Sequence, residues 1–396
     1  MRELTDTLLA SQKDPVTDPY IIIFLSMLEQ PPPLEGYLAL LSRNSQQVWV
    51  YDDDTGLWTL QSDESGPGNF SQLSQTFTGH WLYVGSRGEL GDVWHSPDGV
   101  DFTKTWTHLT AGGYNSGVWE YDISPDGTVW ILVGNSAAHV GANAYKPLRI
   151  YKSEDGGATW TLVYTDEGFD YAGDDRNTGP RTIAASQTDS DIVVVCCEGR
   201  FNVEPDSIYT IDGGNTWVRR INPTQDFPRG AGNYDHMRFA ASGRLLYLTS
   251  QAVCKVWYSD DLGESWTQAT ETTPFNSPVG RRLGWWRSNW GSNNIMICDR
   301  PAGTPSPQHV KVFVSKDNGA SWDKVDADDP TFPYTAWGVD YDAVKNKAAV
   351  SRYATASANI VGLIDDPFGT PTKSDITSNI SVPFEPGYAA PLAYPR

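Results

Sequence analysis

Hydrophobic residues fall along the chain in short runs rich in Val, Ile, Leu, Tyr and Trp, each bounded by Gly, Asp, Ser or Asn. LRIYK at 148–152, DSIYT at 206–210, KVWYS at 255–259 and VKVFVS at 310–315 each lead into such a turn, and runs such as TLVY and VRRI follow it. Two β-rich runs joined through a Gly-containing turn predict a β-hairpin. Upstream in each unit stands a second pair of runs, seen in WEYDISPDGTVWILVG, RTIAASQTDSDIVVVCCEG, MRFAASGRLLYLTS and LGWWRSNWGSNNIMICD. The pattern therefore predicts four strands per unit. With 36 Gly and 26 Pro in 396 residues, long helices are excluded.

The units repeat. Ser153–Trp160 (SEDGGATW), Thr210–Trp217 (TIDGGNTW), Ser259–Trp266 (SDDLGESW) and Ser315–Trp322 (SKDNGASW) share the pattern Ser/Thr-x-Asp-x-Gly-x-Ser/Thr-Trp. Two copies are degenerate: YDDDTGLW keeps Asp53 and Trp58, and SPDGVDFTKTW keeps Asp98 and Trp106 around a longer spacer. The six tryptophans recur about every 50 residues. A seventh, eroded unit is expected where Asp366, Gly369 and Thr372 stand. Four-stranded units repeating at this period predict an all-β protein, a seven-bladed β-propeller of antiparallel blades, with six blades as the runner-up.

The motif resembles the Asp box, or bacterial neuraminidase repeat, of sialidases, sortilin-type receptors, some xyloglucan-degrading enzymes and photosystem II assembly factors. That resemblance implies a box in the turn between the third and fourth strands of a blade, at the periphery, with a structural role. Physical chemistry agrees with such a role. A short carboxylate accepts hydrogen bonds from turn N–H groups, Gly tolerates positive φ, and the Trp ring buries against the sheet. Asp53, Asp98, Asp155, Asp212, Asp261 and Asp317 thus read as turn staples, partnered by Trp58, Trp106, Trp160, Trp217, Trp266 and Trp322.

Three regions follow: a leader or attachment segment at 1–34, the propeller at 35–378, and a C-terminal strand with a Pro-rich arm at 379–396. Tyr20–Leu28, Tyr37–Ser42, Gln47–Tyr51 and Leu57–Gln61 could supply the first blade, but three prolines at 31–33 break the series. The alternative closes that blade with a strand around Asn379–Phe384, covering an edge that would otherwise stay open. PFEPGYAAPLAYPR reads as an arm over the surface. Tyr20–Leu28 is too short to span a bilayer and follows acidic residues, so no signal peptide is expected. The first twenty residues resemble the leaders of tailed-phage virion proteins, which implies a virion or extracellular setting and docking to other virion proteins. A helix under the propeller, with Leu4, Leu8 and Leu9 on one face, is the plainer reading.

Charge narrows the partners. Against 49 acidic side chains stand 29 basic ones, a formal net charge of −20, so nucleic acid and anionic membranes are not expected partners. Cys196, Cys197, Cys254 and Cys298 lack CxxC spacing and read as buried thiols. The six histidines, His80, His95, His108, His139, His236 and His309, show no ligand spacing, and no metal or cofactor is expected. Asp52 to Asp54, or Asp174 with Asp175, could hold calcium, although solvated turn carboxylates are commoner.

Ligands of propellers bind at the channel mouth, lined by the first strand of each blade. Trp119, Arg181, His236, Arg238, Arg282, Trp285, Trp286, Arg287, Trp290 and Trp337 are the candidates, the densest group being RRLGWWRSNW at 281–290. Arginine and tryptophan together can stack on sugar rings and bind hydroxyls or carboxylates. Alternation sends Trp285 and Trp286 to opposite faces, so at least one packs inward. The Asp-box resemblance also raises sialidase chemistry, with Arg181, Arg238 and Arg282 as carboxylate clamps and Tyr234, Glu120 and Asp235 completing the site. Counting back from Ser186 and Ser242 puts Arg181 level with Met237 and Arg238 level with Thr182, on opposite faces, and the Arg-Ile-Pro motif is missing. The expected function is therefore non-catalytic recognition of a glycan, host-surface receptor or protein partner. A glycoside hydrolase using Glu120 and Asp235 is the alternative, and a purely structural assembly module the third reading.

Overall fold

The computed structural model describes residues 37–42, 47–52, 55–63, 72–76, 78–84, 91–111, 114–134, 148–166, 180–197, 206–221, 236–248, 255–271, 294–299, 311–325, 336–342, 346–352, 361–375 and 389–393. These form strands joined by turns. The first sheet contains β1 (Tyr37–Ser42), β2 (Gln47–Asp52) and β3 (Leu57–Asp63), and the second contains β4 (Gln72–Gln75), β5 (Trp81–Val84), β6 (Val93–Ser96) and β7 (Thr103–Trp106). The third runs from β8 (Leu109–Ala111) through β9 (Tyr114–Ile123), β10 (Val129–Gly134) and β11 (Leu148–Ser153) to β12 (Thr161–Asp166). β13 (Pro180–Ala185), β14 (Val193–Cys197), β15 (Asp206–Thr210) and β16 (Val218–Ile221) make the fourth; β17 (His236–Phe239), β18 (Leu245–Leu248), β19 (Val256–Ser259) and β20 (Thr267–Gln268) make the fifth. The sixth combines β21 (Thr270–Glu271), β22 (Ile295–Asp299), β23 (Lys311–Ser315) and β24 (Ser321–Val325). β25 (Ala336–Asp342), β26 (Lys347–Arg352), β27 (Val361–Asp365) and β28 (Thr372–Asp375) make the seventh, and β29 (Ala389–Ala393) returns to the first.

Each sheet is an antiparallel meander, apart from β21, which lies parallel to β24 and covers its outer edge. β10 shows why these runs are continuously apolar. Val129, Ile131 and Val133 pack toward the second sheet, while Trp130 and Leu132 pack toward the fourth, so both faces are buried. The remaining clusters likewise bridge sheets four and five, five and six, and six and seven. β29 touches both β4 and β25, which joins the first sheet to its two neighbours and closes the ring. The fold is a β-propeller, with seven sheets among the described residues.

Closure differs from the expectation in its location. β29 pairs with β1 through Ala39–Ala393 and Leu40–Leu392, inside the Pro-rich stretch expected to be an arm. Pro391 is tolerated because β29 is an edge strand with an irregular register between Leu40 and Ser42, where no ladder N–H is required of it. Asn379–Phe384 and Tyr20–Leu28, the other candidates for this strand, lie outside the described residues, as does the leader at 1–34.

The repeated turns join β11 to β12, β15 to β16, β19 to β20 and β23 to β24. In the last, Ser315 Oγ donates to Asp317 Oδ1 (2.8 Å) and accepts from Gly319 N–H (2.7 Å). Asp317 Oδ1 also accepts from Ser321 N–H (2.8 Å), and Ser321 Oγ donates to Oδ2 (2.6 Å). Trp322 Nε1–H closes the turn on Gly319 C=O (3.0 Å). Asp155, Asp212 and Asp261 repeat the carboxylate bonds. The Trp160 indole alone departs, donating across to Thr105 Oγ1 of the second sheet. In the degenerate second copy Asp98 accepts from Ser96 Oγ and Val100 N–H, and Asp366 accepts from Thr370 N–H in the seventh sheet. Asp53 lies outside the described residues; its neighbour Asp52 accepts from Thr55 N–H (3.3 Å).

These turns are also contacts between sheets. Gly157, Gly214 and Gly319 have positive φ and press against Leu82 on β5, Trp130 on β10 and Leu246 on β18, each in the preceding sheet. Any side chain would intrude on that contact.

Candidate functional site

β13 lies between β9 and β17, so β9 beyond its short pairing with β8, together with the innermost strands of the fourth and fifth sheets, forms one stretch of the channel wall. The bonds closing the turn after each strand fix their alignment: Ser124 N–H to Thr128 C=O, Ser186 N–H to Ile192 C=O and Ala240 N–H to Arg244 C=O. Ala240, not Ser242, thus stands level with Ser186. The two-residue correction makes Glu120, Thr182 and His236 equivalent positions, and likewise Asp122, Ala184 and Arg238. Met237 falls level with Ile183 instead of Arg181, and Arg238 with Ala184 instead of Thr182.

A bulge sets the direction of the side chains on β9. Leu132 is opposite Glu120 and Val133 opposite Val118, leaving Trp119 as the extra residue. Val118, Tyr121 and Ile123 consequently share one face, packed against the second sheet, while Glu120 and Asp122 turn to the other. Without the bulge the strand would present one of these sets to the wrong neighbour.

Glu120 has no exposed side-chain surface. Its Oε1 accepts from Arg238 Nη2 (3.1 Å), and its Oε2 stands 3.5 Å from His236 Nδ1. Arg238 Nη1 donates to the carbonyls of Ile183 (3.0 Å) and Met237 (2.9 Å), and Arg238 Nε lies 3.9 Å from Asp122 Oδ1. Burial alone would lower the Arg238 pKa, but the Asp122 and Glu120 carboxylates outweigh it and hold the guanidinium above its ordinary value. Asp122 Oδ2 accepts from Ala185 N–H (3.0 Å), and Thr182 Oγ1 accepts from Met237 N–H (2.9 Å). Side chains of one sheet therefore satisfy main-chain groups on the innermost strand of the next, where no further strand can pair.

Trp119, Arg181 and Trp337 share a second feature. Each occupies a register shift of its innermost strand: Trp119 in β9, Arg181 between Pro180 and Thr182 in β13, and Trp337 between Ala336 and Gly338 in β25. Trp119 is half-buried. The structure thus brings Glu120, His236 and Arg238 together and places Trp119, Arg181 and Trp337 at bulges of the wall. Tyr234, Asp235, Arg282, Trp285, Trp286, Arg287 and Trp290 lie outside the described residues. Sequence reading missed Asp122 and Thr182; their signal is the fixed distance before the closing turn, visible only once the turns are aligned.

Among the described residues no group of three or more His, Cys, Asp or Glu side chains could hold a metal ion. Asp54, Asp174 and Asp175, like Asp53, lie outside them. Cys196 is buried between the fourth and fifth sheets, as expected of a core thiol. Among the same residues no helix is long and apolar enough to cross a membrane.

No protein-family model matches the chain, and no curated protein does so either. Solved structures do. A puromycin hydrolase mutant (S511A, complexed with PGG) superposes with a TM-score of 0.57 at 13% identity, over 89% of this chain and 53% of that one. A GH74 xyloglucanase from Xanthomonas campestris gives a TM-score of 0.53 at 13% identity, over 91% of this chain and 52% of its own. A periplasmic gluconolactonase from Pseudomonas aeruginosa gives 0.57 at 11% identity, over 91% and 99% respectively. The chain spans about half the length of the first two and nearly all of the third. At these identities the likeness concerns the β-propeller fold, on which unrelated chemistries are mounted.

Proposed function

We propose that this chain is a non-catalytic recognition propeller that binds glycans at its channel mouth, as a virion or extracellular adhesion component. The observation that carries the reading is the placement of Trp119, Arg181 and Trp337 at three bulges of the innermost strands. Bulges re-aim side chains and concentrate beside functional sites, and Trp with Arg is the pairing that stacks on and hydrogen-bonds to sugars. Glu120, the described carboxylate considered for catalysis, is instead buried against Arg238, which supports a role in holding the wall. The hydrogen-bonding of Asp155, Asp212, Asp261 and Asp317 supports reading the repeat as the Asp box. The virion setting rests on the resemblance of the leader and on the net charge of −20.

A glycan array probed with the full chain tests this. Binding should occur and be lost in Trp119→Ala and Trp337→Ala variants whose unfolding midpoints stay close to the parent's. Turnover of aryl glycosides or sialyllactose, abolished by Glu120→Gln or Asp235→Asn, would replace the reading with a glycoside hydrolase. Silence on the array together with stable binding of a protein receptor would move the ligand class from sugar to protein.

A further inference from the structure

Away from the channel, two imidazoles meet where the second and third sheets abut. His80 leads into β5, its N–H donating to Thr76 Oγ1 (3.1 Å) and its C=O accepting from Thr76 N–H (2.8 Å). His95 lies on β6 opposite Leu82 and is 8% exposed. His80 Nδ1 and His95 Nε2 are 2.6 Å apart, and the rings stack with centroids 4.9 Å apart at 30°. Over this pair sits the β11–β12 turn of the third sheet. Gly156, at φ +70°, packs so closely on the His80 ring that a Cβ there would come within 2.7 Å of its Cγ.

We propose that the His80–His95 pair is an acid-sensitive latch between the second and third sheets. The proton count explains it. A neutral pair places one hydrogen between the two nitrogens, one ring donating and the other accepting. A first added proton leaves that arrangement intact, because an imidazolium can donate to its neutral neighbour. A second proton sets two N–H groups against each other at 2.6 Å, and the contact must open, releasing the turn that carries Gly156.

The surroundings bear on the pair in a defined way. From the third sheet comes Asp155, whose carboxylate favours protonation of both rings. Its neighbours Glu154 and Lys152 are paired with each other (2.6 Å). Thr103, opposite His95 on β7, is uncharged, and Lys104 beyond it is turned to Asp92 and the Trp94 ring. Burial outweighs Asp155 in both cases, and His80 adds repulsion at His95, so both groups titrate below their ordinary value of 6.5. A lowered folded-state value means that the unfolded chain binds more protons. Stability is therefore complete above pH 6.5 and is lost as the pH falls from there through the lowered folded values.

Two measurements on the full chain decide the matter. Amide exchange at Gly156 and Gly157, corrected for the chemical rate, should speed up on the order of tenfold or more between pH 7 and pH 5, tenfold corresponding to one unit of pKa. In His80→Asn/His95→Gln, whose amides stand near the two contacting nitrogens but do not titrate, that acceleration should vanish. Equal acceleration in the variant overturns the latch. Should the variant fail to fold, an NMR titration of the native histidines still decides: coupled titration below 6.5 supports the latch, and independent titration at or above 6.5 refutes it.

Discussion

The Arg238 guanidinium meets the Glu120 carboxylate at 3.1 Å across 118 residues of sequence, reaching from the fifth sheet past the fourth to the third. Three innermost strands are tied by this one side chain, which also takes up the Ile183 carbonyl. A buried pair of this kind adds little relative to a well-packed apolar substitute, but breaking it is costly, because the remaining charge has no solvent to return to.

Arg238→Met should therefore lower unfolding stability by about 3–5 kcal/mol. The double variant Glu120→Gln/Arg238→Met should be more stable than the single one, because no buried carboxylate is then left exposed to a missing partner. Urea unfolding of the four proteins in a double-mutant cycle checks both statements; additive effects would show that the pair is not coupled.

The tryptophans of the repeated turns differ in burial, and their truncation should rank accordingly. Trp322 is 1% exposed within the cluster between sheets five and six, while Trp266 is only partly buried beside its own cluster. Trp322→Ala should cost about 3–5 kcal/mol, and Trp266→Ala less. Chemical denaturation of the two variants, side by side, gives the order directly.

Glycine substitution separates backbone strain from steric intrusion. Gly79 and Gly319 have nearly the same φ, +84° and +80°, but a Cβ at Gly79 meets open space and one at Gly319 meets Leu246. Gly79→Ala should cost about 1–2 kcal/mol for the left-handed backbone alone. Gly319→Ala should add about 1–3 kcal/mol of overpacking against the fifth sheet. Thermal midpoints that moved equally would mean that Leu246 gives way.

Acid should act on the turns in a separate window from the histidine latch. Burial would raise the Asp155, Asp261 and Asp317 carboxyls, but bonds from the hydroxyl and N–H of Thr159, Ser265 and Ser321 outweigh it and hold them below 3.8. Groups with lowered folded values stabilise fully above the unfolded value and lose that contribution as the pH falls through the folded one. The urea midpoint should thus drop below about pH 4, and Asp317→Asn should flatten that drop while leaving the change between pH 7 and 5 intact. A midpoint insensitive to pH below 4 would contradict the hydrogen-bonding described.

Much of the fold was legible because its determinants are local. Asp317, Gly319 and Trp322 lie within six residues, and a hydroxyl, a carboxylate, a permissive glycine and an indole at that spacing close the same turn wherever they recur. The first strand was harder to assign. β29 lies more than 340 residues from β1, and neither AAPLA nor the three prolines after Tyr20–Leu28 signals which end of the chain closes the ring. Asp122 and Thr182 escaped notice for a similar reason, since each acts on a main-chain group of the neighbouring sheet.

Alternation and spacing alone determined that this chain forms repeated four-stranded sheets stapled by aspartate turns, because a hairpin and its turn bonds form between residues close in sequence. Tertiary structure decided how the ring closes, which way β9 faces after its bulge, and that Glu120 is matched to Arg238 and His80 to His95. Those outcomes depend on which strand edges and side chains are brought together when sheets pack, and a periodic pattern, being the same in every blade, carries no record of that choice.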